Sequence, residues 1–240
     1  MAVPYAEVIG DPIGHSKSPL IHRFWLGKLG LAGEYNARRV RLSELDAYLT
    51  EKREDVHWRG CNLTAPLKRE AARLAGGMGA VNCVVRTRES GLSGHNTDVN
   101  GIAEALHGRV ARKDVCLIGA GGAARAALWY LAREEARSIT IVARNLTKAE
   151  ALARSSPGTR RIAAVPLDDA AAAIWSASVV INATPMGMAD GSITAPVLLD
   201  NLTAGQTVFD MVYAPVETEL LRRARKVGAV AVDGLTMLIG

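Results

Sequence analysis

The fold is decided by the stretch Val115-Cys116-Leu117-Ile118-Gly119-Ala120-Gly121-Gly122-Ala123-Ala124. Its first four residues have the pattern of a buried strand, and the remainder matches G-x-G-x-x-A, which belongs between a strand and a helix. The glycines permit a tight turn and a close backbone approach, and the following helix offers free N–H groups to a pyrophosphate. Because another strand is predicted at 138–143, the stretch indicates a parallel α/β domain that binds a dinucleotide. The alternative is a glycine-rich turn that holds no ligand.

The residues after that second strand indicate which dinucleotide is bound. An NAD site would place an acidic residue there for the ribose 2′-hydroxyl. The chain instead reads Ala143-Arg144-Asn145-Leu146-Thr147-Lys148, and the first acid, Glu150, falls too far into the next helix. Arg144 can bind a phosphate with two parallel hydrogen bonds, and Lys148 can add charge, although lysine at such a position is often only solvated. NADP is therefore favoured over NAD.

Three more strands are predicted at 179–183, 207–212 and 229–232, and they complete this domain. In open α/β sheets the carboxyl ends of the strands line the ligand crevice. Met186 and Met211 at these ends are more typical of packing residues than of cofactor contacts. Tyr213 is a better candidate for a substrate contact, because its hydroxyl can stay polar while its ring packs.

The first hundred residues predict a second α/β domain. We predict strands at 5–10, 35–40, 56–63 and 81–86, and helices at 19–29, 43–52 and 66–74. The alternation of strands and helices indicates parallel β/α layers.

The stretch Asn62-Leu63-Thr64-Ala65-Pro66-Leu67-Lys68 carries the clearest chemical signal in that domain. Asn62 and Thr64 face the same side of a strand. Pro66 fits the first position of a helix, which places Lys68 in the first turn. A helix N-terminus disfavours a cation by about 0.3–1 kcal/mol, so stability gives no reason for this lysine and a substrate-facing role would. A nearby carboxylate would keep it charged, so we expect a proton donor.

That carboxylate is predicted to be Asp98, which ends the run Gly94-His95-Asn96-Thr97-Asp98 and opens a helical pattern through Leu106. Asp is also a preferred helix cap, so a capping role for Asp98 and a solvated role for Lys68 are the alternatives.

Composition excludes several classes of protein. The chain has 240 residues, of which 49% are hydrophobic and 22% charged, as expected for a globular protein with two modest domains. The N-terminus lacks a signal pattern and no segment approaches the length of a membrane helix, so we expect a cytoplasmic protein. Cys61, Cys83 and Cys116 lack the spacing of a metal or redox site, so no metal is expected. The net charge of +5 is scattered and only 5% of residues are aromatic, which favours small anionic ligands over nucleic acid.

Several motifs together resemble the shikimate dehydrogenase family, whose members interconvert 3-dehydroshikimate and shikimate with NADP(H). In chain order these motifs are residues 10–19 (GDPIGHSKSP), 62–68 (NLTAPLK), 79–82 (GAVN), 96–98 (NTD), 119–124 (GAGGAA), 182–187 (NATPMG), 210–213 (DMVY) and 233–235 (DGL).

The resemblance implies two α/β domains with the active site in the cleft between them. Residues 1–98 would form the substrate-binding catalytic domain and residues 99–234 a Rossmann-like, doubly wound NADP-binding domain. Residues 235–240 would begin a C-terminal helix that returns to the N-terminal domain. A homodimer is one option for the assembly.

The resemblance also implies roles for single residues. Lys68 and Asp98 resemble the catalytic pair, in which the lysine stabilises the developing alkoxide and supplies its proton while the aspartate holds the ammonium. The substrate-binding residues implied are Ser16, Ser18, Asn62, Thr64, Asn82 and Tyr213, with the two serines on the substrate carboxylate. The cofactor-binding residues implied are Gly119, Ala120, Gly121, Gly122, Ala123, Arg144, Asn145, Lys148, Thr184, Met211 and Gly234. Neither His15 nor His95 is given a proton-transfer role.

Four departures from the family pattern are visible in the sequence. Ala143 replaces a frequent asparagine, Arg23 replaces another, and the segment 69–78 is short. The sequence stops at Gly240, before the Gln-Ala and closing helix of the family, and loss of that helix would expose apolar surface.

Other functions remain as alternatives at this point. One is a dehydrogenase of quinate or another cyclic hydroxy acid. Another is an NADP-binding regulatory protein without catalysis, and a nucleic-acid-binding module is a distant third.

Overall fold

The computed structural model describes residues 3–14, 16–64, 66–77, 80–89, 91–156, 161–189 and 193–239. The chain divides into two compact units, Met1–Thr97 and Asp98–Gly240, each built around its own sheet. Within the described ranges no helix is long and apolar enough to cross a membrane.

Over its described residues, the first unit is a five-stranded sheet with three α-helices. Its elements are β1 (Tyr5–Gly10), α1 (Ser18–Leu29), β2 (Glu34–Arg39), α2 (Leu45–Glu54), β3 (Trp58–Leu63), α3 (Lys68–Ala75), β4 (Cys83–Arg86) and β5 (Leu92–His95). The strand order is β2-β1-β3-β4-β5. β1 runs parallel to both of its neighbours, β2 and β3.

The prediction of parallel layers holds for β1 to β3 and is wrong for the other half of this sheet. β4 is antiparallel to both β3 and β5. The Thr87 N–H donates to the Gly91 carbonyl at 2.9 Å, which closes a short hairpin. Only antiparallel strands can be joined so tightly, since a parallel pair needs a long crossover. The sequence analysis missed β5 because its glycine and serine lack strand propensity.

The two faces of the first sheet are buried differently. Tyr48, Trp58, Leu63 and Leu67 belong to the larger core, on the face covered by α2 and α3. Val8 and Tyr35 lie on the opposite face and form a smaller cluster near α1. No described residue of α1 is fully buried, so this helix covers the sheet only loosely.

The second unit is a six-stranded sheet with helices between its strands. Its elements are α4 (Asp98–Leu106), β6 (Asp114–Ile118), α5 (Gly122–Arg133), β7 (Ser138–Ala143), α6 (Leu146–Arg154), β8 (Arg161–Pro166), α7 (Ala171–Ser176), β9 (Val179–Asn182), α8 (Pro196–Asp200), β10 (Thr207–Asp210), α9 (Glu219–Lys226), β11 (Val230–Val232) and α10 (Gly234–Ile239). The strand order is β11-β10-β9-β6-β7-β8, and every pairing is parallel.

This order is that of a doubly wound dinucleotide-binding sheet, whose two halves meet between β6 and β9. Helices cover both faces, as alternate residues of the buried central strand show. Val115 and Leu117 of β6 join one apolar core. Cys116 and Ile118 join the other. The predicted fold class, with a Rossmann-like second half, is confirmed, although the sequence analysis did not predict β8.

Candidate active site

In the first unit, Ser16 and Ser18 follow β1, and Asn62 and Thr64 lie at the carboxyl end of β3, its neighbour in the sheet. Thr64 comes directly after β3, and its N–H donates to the Ile9 carbonyl at 3.0 Å. A Cβ added at Gly10 would lie 2.7 Å from the Thr64 hydroxyl oxygen. Glycine at position 10 therefore leaves the space that the Thr64 hydroxyl occupies.

A chain of polar side chains, here called the substrate cluster, joins Tyr35, Asn62, Asn82 and Thr97. The Tyr35 hydroxyl lies 2.6 Å from Asn62 Oδ1, and Asn62 Nδ2 donates to the Asn82 carbonyl at 3.4 Å. Asn82 Nδ2 donates to Thr97 Oγ1 at 3.0 Å, and Asn82 Oδ1 accepts from the Thr97 N–H at 2.8 Å. Two of the predicted residues, Asn62 and Asn82, are thus brought together.

Ser16 and Ser18 lie at the start of α1. The Ser18 N–H donates to Ser16 Oγ at 3.3 Å, so Ser16 has the turn-forming role that its sequence context suggests. A hydroxyl that accepts one hydrogen bond can still donate its own proton. Since a helix N-terminus also favours negative charge, both serines can serve a carboxylate.

Lys68 is the first residue of α3, so its predicted place in the first turn is confirmed. The proposal that Pro66 is the first helical residue is wrong, because the helix begins two residues later. The Leu67 N–H donates to the Thr64 carbonyl at 2.9 Å in a turn that precedes the helix. The Lys68 carbonyl accepts from the Val81 N–H at 2.8 Å, which ties α3 to the segment that carries Asn82.

Asp98 is the first residue of α4 and is half-buried. It follows Thr97 directly, and Thr97 is held by both side-chain ends of Asn82. Asn96 Nδ2 donates to the Ala80 carbonyl at 3.1 Å, which ties the preceding residue to the same segment. The pairing of Lys68 with Asp98 stays a prediction, since the two residues belong to different units.

The second unit contains a cavity of about 580 Å³ at the carboxyl ends of β6, β7 and β9. It is lined by Ile118, Gly119, Ala120, Gly121, Val142, Ala143, Arg144, Asn145, Lys148, Leu167, Ala183, Thr184, Pro185, Met186, Ile193 and Ala195. Four predicted cofactor residues are not among the lining residues. Two of them, Gly122 and Ala123, are the first residues of α5, and the others are Met211 and Gly234. The sequence analysis missed Leu167, Ile193 and Ala195 as lining residues, because no motif marks them.

The backbone conformation at position 119, in the loop that lines this cavity, requires glycine. Its φ is +115°, a conformation that strains any residue with a side chain. An added Cβ would also lie 3.0 Å from the Ala183 carbonyl oxygen, beyond the end of β9. By contrast, a Cβ at Gly121 would meet nothing within 4 Å in the described protein, so that glycine faces open space.

The charge of the cavity comes from Arg144 and Lys148, which are both exposed. None of its described lining residues is acidic. Asn145 accepts from the Lys148 N–H at 2.9 Å and caps α6, so its side chain has a structural role. The set can bind a phosphate and offers no carboxylate to a ribose 2′-hydroxyl, which supports the NADP prediction.

Asn182, Thr184, Asp210 and Thr218 form a second polar network, here called the strand-end clamp. Asn182 Nδ2 donates to Asp210 Oδ1 at 2.9 Å, and Asn182 Oδ1 accepts from the Thr184 hydroxyl at 2.6 Å. The Thr218 hydroxyl donates to Asp210 Oδ2 at 2.6 Å. Asn182 and Asp210 are fully buried, and burial raises the pKa of Asp210, with the bond from Thr218 acting in the opposite direction.

The strand-end clamp fixes the loop 183–187, which forms one wall of the cavity. Asn182 and Asp210 lie in motifs that are visible in the sequence, but those motifs did not predict this role. The available signal was the pair of polar residues that end two predicted strands, since buried polar groups need partners.

The remaining predicted residues have mixed surroundings. A Cβ at Gly234 would lie 2.6 Å from the Met211 carbonyl group, so this glycine allows α10 to start close to the end of β10. Tyr213 follows β10 and is half-buried.

His95 is exposed and within hydrogen-bond distance of Ser93. His15 and Gly79 lie outside the described residues, as do Ala65, Met78 and Gly240.

Burial raises the pKa of the thiols of Cys61, Cys83 and Cys116, which therefore remain protonated. Across the parts of the chain that the structure describes, no group of His, Cys, Asp or Glu side chains could hold a metal ion.

Two family models match the sequence. One, described as the shikimate dehydrogenase substrate binding domain, matches residues 8–84. The other, described as shikimate / quinate 5-dehydrogenase, matches residues 101–189.

Individual relatives cover nearly the whole chain. It is 41% identical over 251 residues to the shikimate dehydrogenase (NADP(+)) of Sphingopyxis alaskensis, covering 100% of this chain and 88% of that protein. The structure resembles shikimate 5-dehydrogenase from Thermus thermophilus in complex with NADP(H) and shikimate, with TM-score 0.82, 34% identity and coverage of 98% and 89% of the two chains. It also resembles quinate dehydrogenase from Corynebacterium glutamicum in complex with NAD, with TM-score 0.88, 29% identity and coverage of 98% and 89%.

Proposed function

The chain belongs to the shikimate dehydrogenase family, and we propose that it catalyses the NADP-dependent, reversible reduction of 3-dehydroshikimate to shikimate. The resemblance found in the sequence is thereby confirmed at the level of the family. The substrate cluster is the observation that carries the proposal. It brings neutral hydrogen-bond donors and acceptors together around the carboxyl end of β3, next to the segment that carries Lys68. A polyhydroxylated ring with a carboxylate needs such a set.

We propose that Lys68 is the proton donor in the reduction. NADPH supplies the hydride to the ketone carbon when it is bound. The Lys68 ammonium stabilises the negative charge that develops on the ketone oxygen and then transfers a proton to it, which gives the alcohol. Asp98 is proposed as the carboxylate that orients this ammonium and accepts a hydrogen bond from a neighbouring substrate hydroxyl.

The remaining roles are those that the family resemblance implies, and the geometry within each unit supports them. Residues 1–98 are proposed to hold the substrate, with Ser16 and Ser18 on its carboxylate and Asn62, Thr64 and Asn82 on its hydroxyls. Tyr213 is proposed as a further substrate contact.

Residues 99–234 are proposed to hold NADP. The Gly119–Gly121 loop and the start of α5 would take the pyrophosphate, and Arg144 and Lys148 the 2′-phosphate. Residues 235–240 are proposed as the start of the C-terminal helix, and α10 occupies most of that segment.

We further propose that the enzyme acts in the cytoplasm. All three cysteines are free, as is usual in a reducing compartment. A homodimer is proposed as its assembly, and sedimentation of the purified protein at several concentrations would contradict this if only monomers appeared.

The decisive experiment measures reduction of NADP⁺ and of NAD⁺ by the purified protein with shikimate and with quinate. We expect the highest kcat/KM for shikimate with NADP⁺. A higher value for quinate with NAD⁺ would instead favour the activity named for the Corynebacterium relative.

The same assay tests the non-enzymatic alternative. If the unmodified protein and a Lys68→Ala variant both bind NADP and neither oxidises shikimate, the chain is a regulatory NADP-binding protein.

A further inference from the structure

Tyr35 lies on β2, on the face of the first sheet that carries Asn62. The sheet register places Tyr35 beside Ala6 and Asn62 beside Val8, on the two flanking strands of β1. Since side chains alternate along a strand, these four residues share one face. Ala6 and Val8 are small enough for the tyrosine ring to reach across β1, and its hydroxyl meets Asn62 at 2.6 Å.

The position of the Tyr35 ring is fixed from several sides. The residue is 3% exposed. The imidazole of His22 stacks on its ring, with the centroids 4.0 Å apart and the planes at 20°. Arg23 Nε donates to the Tyr35 carbonyl at 2.9 Å, which ties the backbone of β2 at this residue to α1.

His22 extends this contact to Ser18. Its Nδ1 lies 3.0 Å from the Ser18 carbonyl, which can only accept, so Nδ1 carries a proton. Burial lowers the pKa of His22, so the ring stacked on Tyr35 is neutral near neutral pH. Tyr35 is thereby in contact, directly or through His22, with two residues proposed to bind substrate.

The hydrogen bonds determine how the amide of Asn62 is oriented. The Asn82 carbonyl can only accept, so the end of the amide that faces it at 3.4 Å must be Nδ2. Oδ1 therefore faces Tyr35, whose hydroxyl must donate. Burial raises the pKa of Tyr35, so this proton stays in place. With Oδ1 and one N–H occupied, the second N–H of Asn62 has no partner among the described residues and is a donor of fixed direction.

We propose that Tyr35 is a positioning residue for the substrate, because its hydroxyl holds the Asn62 amide with an N–H presented to a substrate hydroxyl. The proposal rests on the proposed function, in which Asn62 binds shikimate. Without the tyrosine hydroxyl, Oδ1 loses its partner and only the 3.4 Å bond to the Asn82 carbonyl orients the amide, so the N–H offered to the substrate is held less firmly. Nothing in the sequence around Tyr35 marks it for this role, since a tyrosine on a strand is ordinary.

The test is Tyr35→Phe, which removes only the hydroxyl and keeps the ring under His22. We expect KM for shikimate to rise about five- to thirtyfold, as for the loss of one to two hydrogen bonds. We expect kcat and KM for NADP⁺ to change by less than about twofold, because the lost interaction serves ground state and transition state equally.

The matched control is Tyr48→Phe. Tyr48 is 4% exposed, and its hydroxyl donates to Glu7 at 2.7 Å on the opposite face of the same sheet. This control also loses a hydrogen bond from a buried tyrosine hydroxyl, here to a carboxylate, so it should lower stability at least as much while KM for shikimate stays within about twofold of the unmodified value. If Tyr48→Phe does not fold, Tyr5→Phe replaces it, since the Tyr5 hydroxyl donates to Asp55 at 2.6 Å.

An unchanged shikimate KM in Tyr35→Phe overturns the proposal while the proposed function stands. An equal rise in the control variant, or in KM for NADP⁺, also overturns it, because the effect would then be a general loosening of the unit. If the unmodified protein does not oxidise shikimate, the proposed function itself fails and this inference fails with it.

Discussion

The substrate cluster of the first unit is a polar network around the carboxyl end of β3, and the strand-end clamp of the second is one at the carboxyl ends of β9 and β10. They differ in charge and in whether all of their hydrogen-bond donors have partners among the described residues. The substrate cluster is neutral, and one Asn62 N–H in it has no partner in the part of the chain that the structure describes. The strand-end clamp contains a fully buried carboxylate whose two oxygens accept from Asn182, Val212 and Thr218.

This difference indicates that the first network can bind a ligand and that the second supports a loop. A network whose donors are all used can only hold a loop, whereas a network with a spare donor can bind a ligand. Changes in the substrate cluster or beside it should therefore alter catalysis with little effect on folding. Changes in the strand-end clamp should do the reverse.

The largest expected effect is that of Lys68→Met, beside the substrate cluster. We expect kcat/KM for shikimate to fall by about 10²–10⁴, the usual range for loss of a general acid. The free energy of unfolding should change by less than about 1 kcal/mol, because removing a cation from a helix N-terminus is favourable by about 0.3–1 kcal/mol and the loss of the lysine's own contacts opposes this gain. Arg69→Met, the exposed next residue, is the control for the charge change. Retention of at least a tenth of the activity by Lys68→Met would contradict the assigned role.

Next in size is Arg144→Gln, in the cavity whose wall the strand-end clamp supports. We expect KM for NADP⁺ to rise about ten- to a hundredfold, while KM for NAD⁺, which lacks the 2′-phosphate, changes by less than about threefold. Arg154→Gln removes the same charge at the other end of α6, outside the cavity lining, and should leave both constants unchanged. An equal rise in KM for both cofactors would show that Arg144 does not bind the 2′-phosphate.

Asp210→Asn tests the strand-end clamp itself. We expect the free energy of unfolding to fall by about 1–3 kcal/mol, because the amide cannot accept all the hydrogen bonds that the carboxylate accepts. Chemical denaturation measures this loss, and KM for shikimate should change by less than about twofold. Asp200→Asn, at the exposed end of α8, is the control and should have no effect on stability. If KM for shikimate rose while stability held, the contrast between the two networks would be wrong.

The smallest expected effect is the pH dependence that Asp210 gives to stability. Burial raises its pKa in the folded state above the ordinary value of 3.8. Between these two values the folded protein holds a proton that the unfolded chain has lost, so the free energy of unfolding falls as pH rises. It is constant below the ordinary value and above the raised one. Unfolding curves from about pH 4 to about pH 7 should show this fall relative to Asp210→Asn, and parallel curves for the two proteins would contradict it.

Much of this architecture could be predicted because its signals are contiguous. The G-x-G-x-x-A loop between a buried strand and a helix is a local pattern, and so is the basic run after β7. The element types agree with the structure almost throughout, and the start of α3 differs by two residues because a turn at Thr64–Leu67 precedes it.

Other features could not be predicted from the sequence. The direction of β4 and β5 depends on a hairpin at Thr87–Gly91 that has weak strand signals on one side. The bond between Tyr35 and Asn62 joins residues 27 apart, and it exists because β1 inserts between β2 and β3.

The sequence by itself determined two α/β units, the glycine-rich loop between β6 and α5 and the preference for NADP, because each depends on neighbouring residues in the chain. Only the tertiary structure decided which polar side chains meet. Strand order and register set those distances, and they result from the packing of the whole sheet rather than from any local preference. Strand order and register also explain the difference between two asparagines. Asn62 has one N–H without a partner among the described residues, whereas Asn182 donates both of its N–H groups.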